Sequence, residues 1–138
     1  MRCLFCEIAA GAVPAEIVYR DDQAVAFLDH RPLFPGHVLL VPRRHVVTLA
    51  DLPADDVAPF FQTAQRMETA VERGMEADGS FVAINNLVSQ SVPHLHVHIV
   101  PRRRKDGLKG FFWPRAPYRD DADRRETAEK IRAALASA

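Results

Sequence analysis

The apolar residues recur along the chain with two different periods, and these periods predict its elements. A hairpin is predicted by "EIVYRDD" and "QAVAFLD", which read as two strands meeting at Asp21 and Asp22. The apolar run from Val38 to Val41 predicts a central strand, and "SFVAIN" predicts another. From Asp55 to about Met75, apolar residues recur at helical spacing, which predicts one long helix with a packed face.

The end of the sequence differs in composition from the rest. From about Asp121 to Ala136 it is charged and alanine-rich, which predicts a C-terminal helix. No internal repeat, low-complexity tract or long linker interrupts the chain. We therefore expect an α+β fold, with an antiparallel sheet of about five strands, one long packed helix and the C-terminal helix, in a single domain over residues 1–138.

The strictest alternation lies in "PHLHVHIVP", residues Pro93 to Pro101. His94, His96 and His98 alternate there with apolar residues, which is typical of a half-buried strand. Successive strand residues point to opposite faces, so the three histidines share one face and the apolar residues serve the core. Each imidazole can hold a proton, a metal or a covalent adduct near neutral pH. A row of three predicts a functional site.

Composition narrows the setting of that site. The formal net charge is zero, from 18 basic and 18 acidic residues, so bulk attraction to nucleic acid or to an anionic membrane is not expected. No run approaches the ~20 apolar residues of a spanning helix. The start, "MRCLFCEIAAG", has too short an apolar run for a secretory signal. We expect a cytoplasmic protein.

Two cysteines, Cys3 and Cys6, form a Cys-x-x-Cys pair. Such a pair can be a redox dithiol, half of a zinc site, or two buried small residues. The redox form normally follows a strand, and no strand can precede residue 3. Two thiolates need two further ligands to complete a tetrahedral structural zinc site. His45 and His94, at predicted strand ends, are the favoured complement, and the buried pair stays the alternative.

Three kinds of site fit the histidine strand: a catalytic metal site, covalent catalysis by one imidazole, and an anion-binding module without turnover. The loop before His94, "NNLVSQSVP", contains no carboxylate that would complete a metal site. Its hydroxyls, amides and backbone donors suit phosphate oxygens better than a cation. The sequence therefore favours phosphoryl chemistry.

The segment "HLHVHIV" matches the pattern His-φ-His-φ-His-φ-φ, where φ is apolar, and resembles the signature of the histidine triad family of nucleotide hydrolases and transferases. The stretch from "CLFCEIAAG" to "VPRRHV" is similar to the N-terminal half of its bacterial branch. The resemblance extends to residue 102. It implies an α+β sheet with a long helix, a homodimer, a purine nucleotide substrate and a nucleotidyl-histidine intermediate.

The resemblance also implies roles for individual residues. His96 would be the nucleophile, His98 would stabilise charge on the α-phosphate, and Asp29 would accept from the ribose hydroxyls. The implied catalytic residues are His96, His98 and Ser91. The implied nucleotide-binding residues are Asp29, His37, Asn85, Asn86, Gln90, Ser91 and His98. The implied ligands of a structural zinc are Cys3, Cys6, His45 and His94, and no catalytic metal is implied.

Two regions depart from the family pattern. The loop of Asn85, Asn86, Leu87, Val88, Ser89 and Gln90 lacks the glycines that the family usually has there, so we expect another backbone path. The basic run 102–105 is predicted to be solvated surface, with binding of distal phosphates as the alternative. Phe111 to Trp113 are predicted core or dimer contacts, and Trp113 alternatively covers the leaving-group side of a site.

The function expected from these residues is hydrolysis. The protein would cleave a nucleoside 5′-phosphate from a leaving group at the α-phosphate, as purine nucleoside phosphoramidases do. The alternatives are a dinucleoside polyphosphate hydrolase and a non-catalytic nucleotide-binding protein.

Overall fold

The computed structural model describes residues 2–108 and 115–137. These residues form three α-helices, five strands and one 3₁₀ turn. In chain order the elements are α1 (Leu4–Ala9), β1 (Ile17–Arg20), β2 (Ala24–Leu28), β3 (Val38–Pro42), the 3₁₀ turn (Leu49–Asp51), α2 (Ala54–Gly74), β4 (Gly79–Ala83), β5 (Val97–Arg102) and α3 (Asp121–Ala136). None of the described helices combines the length and apolar content needed to cross a membrane.

The strands form one antiparallel sheet in the order β1-β2-β3-β5-β4. The predicted hairpin is confirmed, because the Asp21 carboxylate accepts from the backbone N–H groups of Gln23 and Ala24 at 2.7 and 2.8 Å and so closes the turn. The predicted central strand is β3, which pairs with β2 and β5. The α+β fold with a five-stranded antiparallel sheet is confirmed.

Both faces of the central strands are buried. In β2, Ala24 and Ala26 pack with α2 and the alternate strand residues of β3 and β5, whereas Val25 and Phe27 pack with α1. The predicted long helix is α2, and its apolar face covers one side of the sheet. The short helix α1 covers the other side. Residues of opposite parity along β2 and β3 therefore belong to two separate apolar clusters.

The histidine segment enters the sheet later than its alternation predicts. β5 begins at Val97, so His94 and His96 precede the strand, and the expectation of a strand through all three histidines is wrong in its start. The register pairs Leu40 with Val97, so its continuation would place Pro42 opposite Leu95. Because proline has no N–H to donate, the ladder ends there. The alternation continues nevertheless, and Leu95 donates to the carbonyl of Val46 at 2.7 Å.

The chain divides into two compact units, 1–106 and 107–138. The second contains α3, which has the bounds that its composition predicts. The side chain of Asp120 caps this helix by accepting from the N–H of Asp123 at 2.8 Å. The expectation of one domain over residues 1–138 stays a prediction. Lys109 and the aromatic residues 111–113 lie outside the described residues.

Helix α1 was not predicted from the sequence. It has only six residues, too few for a periodic pattern, and its first residues had been considered only as a cysteine motif. The thiol of Cys3 caps it by accepting from the N–H of Cys6 at 3.4 Å. Phe5, Ile8 and Ala9 are its buried residues. Its apolar residues at positions i, i+3 and i+4 were the available signal.

The loop 85–90 contains two residues with positive φ although it has no glycine. The expectation that its backbone path differs from that of the family stays a prediction. Leu87 and Ser89 adopt φ angles of 68° and 62°. Positive φ is the region that glycine occupies without strain, and it costs other residues about 1 kcal/mol each. The side chains of Asn86 and Gln90 stabilise the loop. Asn86 accepts from the N–H of Leu49 at 2.8 Å, and Gln90 accepts from the N–H of Leu87 at 2.9 Å.

Gly36 provides a test of how the loop before β3 is held. It occupies the third position of a turn closed by the N–H of His37 and the carbonyl of Phe34 at 3.0 Å, with φ of 98°. A Cβ there would lie 2.6 Å from Cγ of Met75. We expect Gly36→Ala to lower the free energy of unfolding by about 1–2 kcal/mol in urea denaturation, mainly through the backbone strain.

The matched control is Gly74→Ala at the end of α2, where an added Cβ would meet no atom within 4 Å and φ is not positive. This variant should lose no stability. Equal urea midpoints for the two variants would contradict the strained-turn account.

Candidate active site and metal centre

The extended segment before and within β5 presents its three histidines to the α1 side of the sheet, while Leu95, Val97 and Ile99 belong to the α2 cluster. His94 and His96 are 0% and 2% exposed, so the histidine face is covered rather than solvated. The prediction of a half-buried strand fails here because α1 packs over that face.

One hydrogen bond sets the chemistry of His96. Its Nδ1 lies 2.8 Å from the backbone carbonyl of His94, and a carbonyl can only accept. Nδ1 therefore carries the ring proton, and Nε2 keeps its lone pair. The ring of Phe5 meets the His96 ring edge-on, with centroids 5.0 Å apart. A buried imidazole with a free Nε2 can act as a nucleophile.

A chain of donors fixes the neighbouring histidines. The N–H of Leu33 lies 3.1 Å from Nδ1 of His37, so that nitrogen accepts and His37 Nε2 carries the proton. His37 Nε2 lies 3.0 Å from Nδ1 of His98 and donates to it. The remaining nitrogen of His98, Nε2, must then carry a proton. His98 thus presents a hydrogen-bond donor beside His96, with ring centroids 4.9 Å apart.

Burial favours the neutral forms of His37 and His98. Burial, with His96 and His37 as neighbours, lowers the pKa of His98 to about 4. Burial also lowers the pKa of His37, although the Asp29 carboxylate at 3.8 Å opposes that shift. Asp29, His37 and His98 approach closely enough to surround a cation. However, the Nε2–H of His37 donates a hydrogen bond to Nδ1 of His98, so neither nitrogen offers a free lone pair to a metal. These three residues therefore form a hydrogen-bonded chain rather than a set of metal ligands.

A cavity of about 740 Å³ opens in front of these histidines. This volume falls in the range of small-molecule sites, about 300–1,000 Å³. The described residues of its polar end include Asp29, Ser91, His96 and His98. Its apolar wall includes Leu4, Phe5, Ile8, Phe27, Leu39 and Val92. The sequence did not predict this wall, because half of it comes from α1.

The remaining predicted nucleotide contacts lie elsewhere. Asn85, Asn86 and Gln90 are not among the described residues that line the cavity. The Gln90 amide donates to the carbonyl of Val47 at 2.6 Å and so joins its loop to the segment after His45. Contacts from these three residues to a nucleotide stay predictions. Ser91, in contrast, is exposed at the edge of the cavity.

The basic run 102–105 is also outside the described lining of the cavity. The Arg102 guanidinium bonds the Asp106 carboxylate at 2.6 and 3.0 Å, and that of Arg103 donates to the carbonyl of Met75. This run lies at the opposite end of β5 from the histidines.

A second cluster brings together Cys3, Cys6, His45 and His94, whose ligand atoms all lie within 4.8 Å of one another. The Cys3 Sγ–His94 Nδ1, Cys6 Sγ–His45 Nδ1 and His45 Nδ1–His94 Nδ1 distances are 3.3, 3.4 and 3.2 Å. Ligands at tetrahedral zinc are about 3.3–3.8 Å apart, given Zn–N and Zn–S bonds of about 2.0 and 2.3 Å. The four residues therefore fit zinc by distance.

The protonation of the cluster agrees with its geometry. His94 Nε2 donates to the carbonyl of Pro42 at 2.8 Å, which leaves the Nδ1 lone pair directed at the two sulfurs. Burial and the adjacent Cys3 raise the pKa of Cys6 to about 11, so Cys6 needs a nearby cation to be a thiolate near neutral pH.

Comparison with known proteins identifies the family. The family model of the HIT (histidine triad) domain matches residues 10–105, and the chain belongs to the HIT family. An uncharacterised HIT-like protein of Mycobacterium tuberculosis is 39% identical over 99% of this chain and 94% of its own. A bis(5′-nucleosyl)-tetraphosphatase of Schizosaccharomyces pombe is 35% identical over 68% of this chain and 53% of its own.

A solved structure is also similar to this chain throughout. It is a zinc-bound histidine triad family protein from Mycobacterium smegmatis, 37% identical, with a TM-score of 0.73 over 97% of this chain and 98% of that one. The predicted family and fold are thus confirmed.

His98 predicts a pH dependence of stability. Its pKa is about 4 when folded and 6.5 ordinarily, so between these values the unfolded chain binds a proton that folded His98 does not. The contribution of neutral His98 to the free energy of unfolding is complete above about pH 6.5. It is lost as the pH falls toward 4, by up to about 1.4 kcal/mol per pH unit. His98→Gln should make the curve of unfolding free energy against pH shallower. Parallel curves for the two proteins, measured by urea denaturation, would refute this assignment.

Proposed function

We propose that the protein is a hydrolase that cleaves a nucleoside 5′-phosphate from a leaving group at the α-phosphate through a covalent nucleotidyl-histidine on His96. Its substrates would resemble those of purine nucleoside phosphoramidases. One observation carries the proposal: Nδ1 of His96 donates to the His94 carbonyl, which leaves a free Nε2 in the wall of a nucleotide-sized cavity.

The reaction would take place in two displacements. Nε2 of His96 attacks the α-phosphorus, a P–N bond forms, and the bond from phosphorus to the leaving group breaks. The Nε2–H of His98 donates to the phosphoryl oxygens and stabilises the charge that develops on them. Water then attacks the phosphorus, which releases the nucleoside monophosphate and returns the lone pair to His96. Ser91, at the edge of the cavity, is positioned to donate to the phosphate or the leaving group.

The nucleoside would occupy the rest of the cavity. Phe5, Ile8 and Phe27 offer apolar and aromatic surface on which a purine can stack. The Asp29 carboxylate accepts one bond from the N–H of Arg31 at 2.9 Å and has further lone pairs for the ribose hydroxyls. In the proposed binding mode, base, sugar and phosphate would follow one another from the apolar wall to the histidines.

The charges of the residues that line the cavity favour a small leaving group over a polyphosphate. Among the described residues that line the cavity there is no lysine or arginine, whereas Glu16 and Asp29 are acidic. The name of the tetraphosphatase from S. pombe favours dinucleoside polyphosphate hydrolysis as a second candidate. That substrate would bring several further negative charges to a lining without cations.

The proposal extends to the setting of the enzyme. The Cys/His cluster would hold a structural zinc, as the zinc-bound relative and the distances among the four ligand atoms support. We also propose a homodimer, a cytoplasmic location and no nucleic-acid or membrane partner, consistent with a formal net charge of zero.

Replacing His96 tests the mechanism. Brief exposure to AMP phosphoramidate or diadenosine tetraphosphate should leave an AMP-sized adduct on His96, detected by mass spectrometry at neutral pH. His96→Ala should fold, bind AMP and form no adduct, and kcat should fall by at least about 1,000-fold because the covalent route is lost.

His30→Ala is the matched control, because this exposed histidine also borders the cavity. It should still form the adduct. Retained turnover in His96→Ala would remove covalent catalysis, and AMP binding by the wild type without any turnover would support a nucleotide-binding protein. The relative kcat/KM of the two substrates decides between the two leaving-group classes.

Removing the thiols tests the metal centre. The purified protein should contain one zinc per chain, measured by elemental analysis, and Cys3→Ser with Cys6→Ser should contain none. Loss of the metal should reduce stability by about 3 kcal/mol or more and lower Tm by about 10 °C. Wild-type protein with reduced cysteines and no zinc would contradict the proposal.

A further inference from the structure

The Cys/His cluster and the proposed active site share parts of the chain. His94 directs Nδ1 into the cluster, and its backbone carbonyl accepts from Nδ1 of His96 at 2.8 Å. The same residue thus contributes a ligand atom to one site and fixes the tautomer of the nucleophile in the other. A change in the position of the His94 ring is transmitted to His96 through one hydrogen bond.

Helix α1 provides a second connection. Cys3 caps its N-terminus and Cys6 lies in its first turn, so the two thiols flank Phe5 in the sequence. The ring of Phe5 lies 6.0 Å from that of His94 and 5.0 Å from that of His96, between centroids and edge-on to both. Phe5 is 5% exposed and also lines the cavity. One side chain therefore contacts the metal-ligand histidine, the nucleophile and the cavity.

The position of α1 depends on tertiary contacts. A helix of six residues is too short to be stable by itself in water. Apolar contacts hold α1 against the sheet. In addition, Arg43 holds the C-terminal end of α1, because its guanidinium donates to the carbonyl of Ala9 at 3.2 Å. At its start the polar attachment is the pair of thiols facing His45 and His94. Without a shared cation, the thiol–imidazole contacts that connect those four groups are only weak hydrogen bonds.

We propose that Phe5 is a positioning residue that couples metal occupancy of the Cys/His cluster to nucleotide binding and to the reactivity of His96. The inference rests on the proposed function. With zinc bound, α1 is drawn onto the histidine segment, Phe5 closes the apolar wall and keeps the His96 ring in the orientation that exposes Nε2. Without zinc, α1 loosens, and the wall and the nucleophile lose their common support.

Coupling of two sites is reciprocal, so it can be measured from either side. AMP should bind zinc-loaded protein about ten-fold more tightly than metal-free protein, and AMP should increase zinc affinity by the same factor. Isothermal titration measures AMP affinity in both forms, and competition with a chromophoric chelator measures zinc affinity with and without AMP.

The diagnostic variant is Phe5→Leu, which keeps an apolar side chain but removes the ring. It should abolish the dependence of AMP affinity on zinc and slow adduct formation on His96 about ten-fold at saturating nucleotide, where a residue that only bound substrate would have no effect. Val25→Ala is the matched control, because Val25 belongs to the same apolar cluster but does not line the cavity. It should retain both the coupling and the rate.

The outcomes separate the two proposals. If zinc-loaded wild type neither binds AMP nor forms the adduct, the proposed function is wrong. If it does both, and AMP affinity is the same in folded metal-free protein, the coupling is overturned. If the metal-free chain unfolds, the role of Phe5 is tested by the rate of adduct formation in zinc-loaded variants. Equal rates for Phe5→Leu and Val25→Ala overturn that role. A ten-fold loss in Phe5→Leu alone supports it.

Discussion

The hydrogen bond from Nδ1 of His96 to the carbonyl of His94 is the interaction on which the candidate site depends. The two residues are separated by Leu95, and alternate side chains along this segment point to opposite faces of the sheet. His94 and His96 face α1, while Leu95 and Val97 complete the α2 cluster. Packing on both faces therefore holds the two residues that this hydrogen bond joins.

Burial has a further electrostatic consequence. Several imidazoles in one water-poor region cannot all carry charge, because each charged ring would be desolvated and repelled by the next. Neutral rings must instead share protons in a definite order, and each carbonyl or N–H at the end of the row decides that order. The carbonyls of Pro42 and His94 and the N–H of Leu33 perform this role. The protein backbone therefore determines which nitrogen of each ring carries the proton and which keeps its lone pair.

The sequence predicted what depends on periodicity and on motifs. The hairpin, β3, α2 and α3 have strong local patterns, and the grouping of Cys3 and Cys6 with His45 and His94 followed from the chemistry of zinc ligands. Helix α1 is too short for a pattern, and the start of β5 depends on Pro42, which is distant in sequence. The tautomers depend on backbone groups, whose positions no residue type encodes. These features had to come from the fold.

The glycine-free loop illustrates how one departure in sequence redistributes roles. Leu87 and Ser89 hold positive φ without the freedom of glycine, so the loop needs compensating bonds. Asn86 and Gln90 supply them by binding the segment 47–49, which follows His45 of the Cys/His cluster. An amide committed to the backbone in this way is less available to a phosphate. The loop therefore supports the segment that follows it, in which Ser91 and Val92 line the cavity.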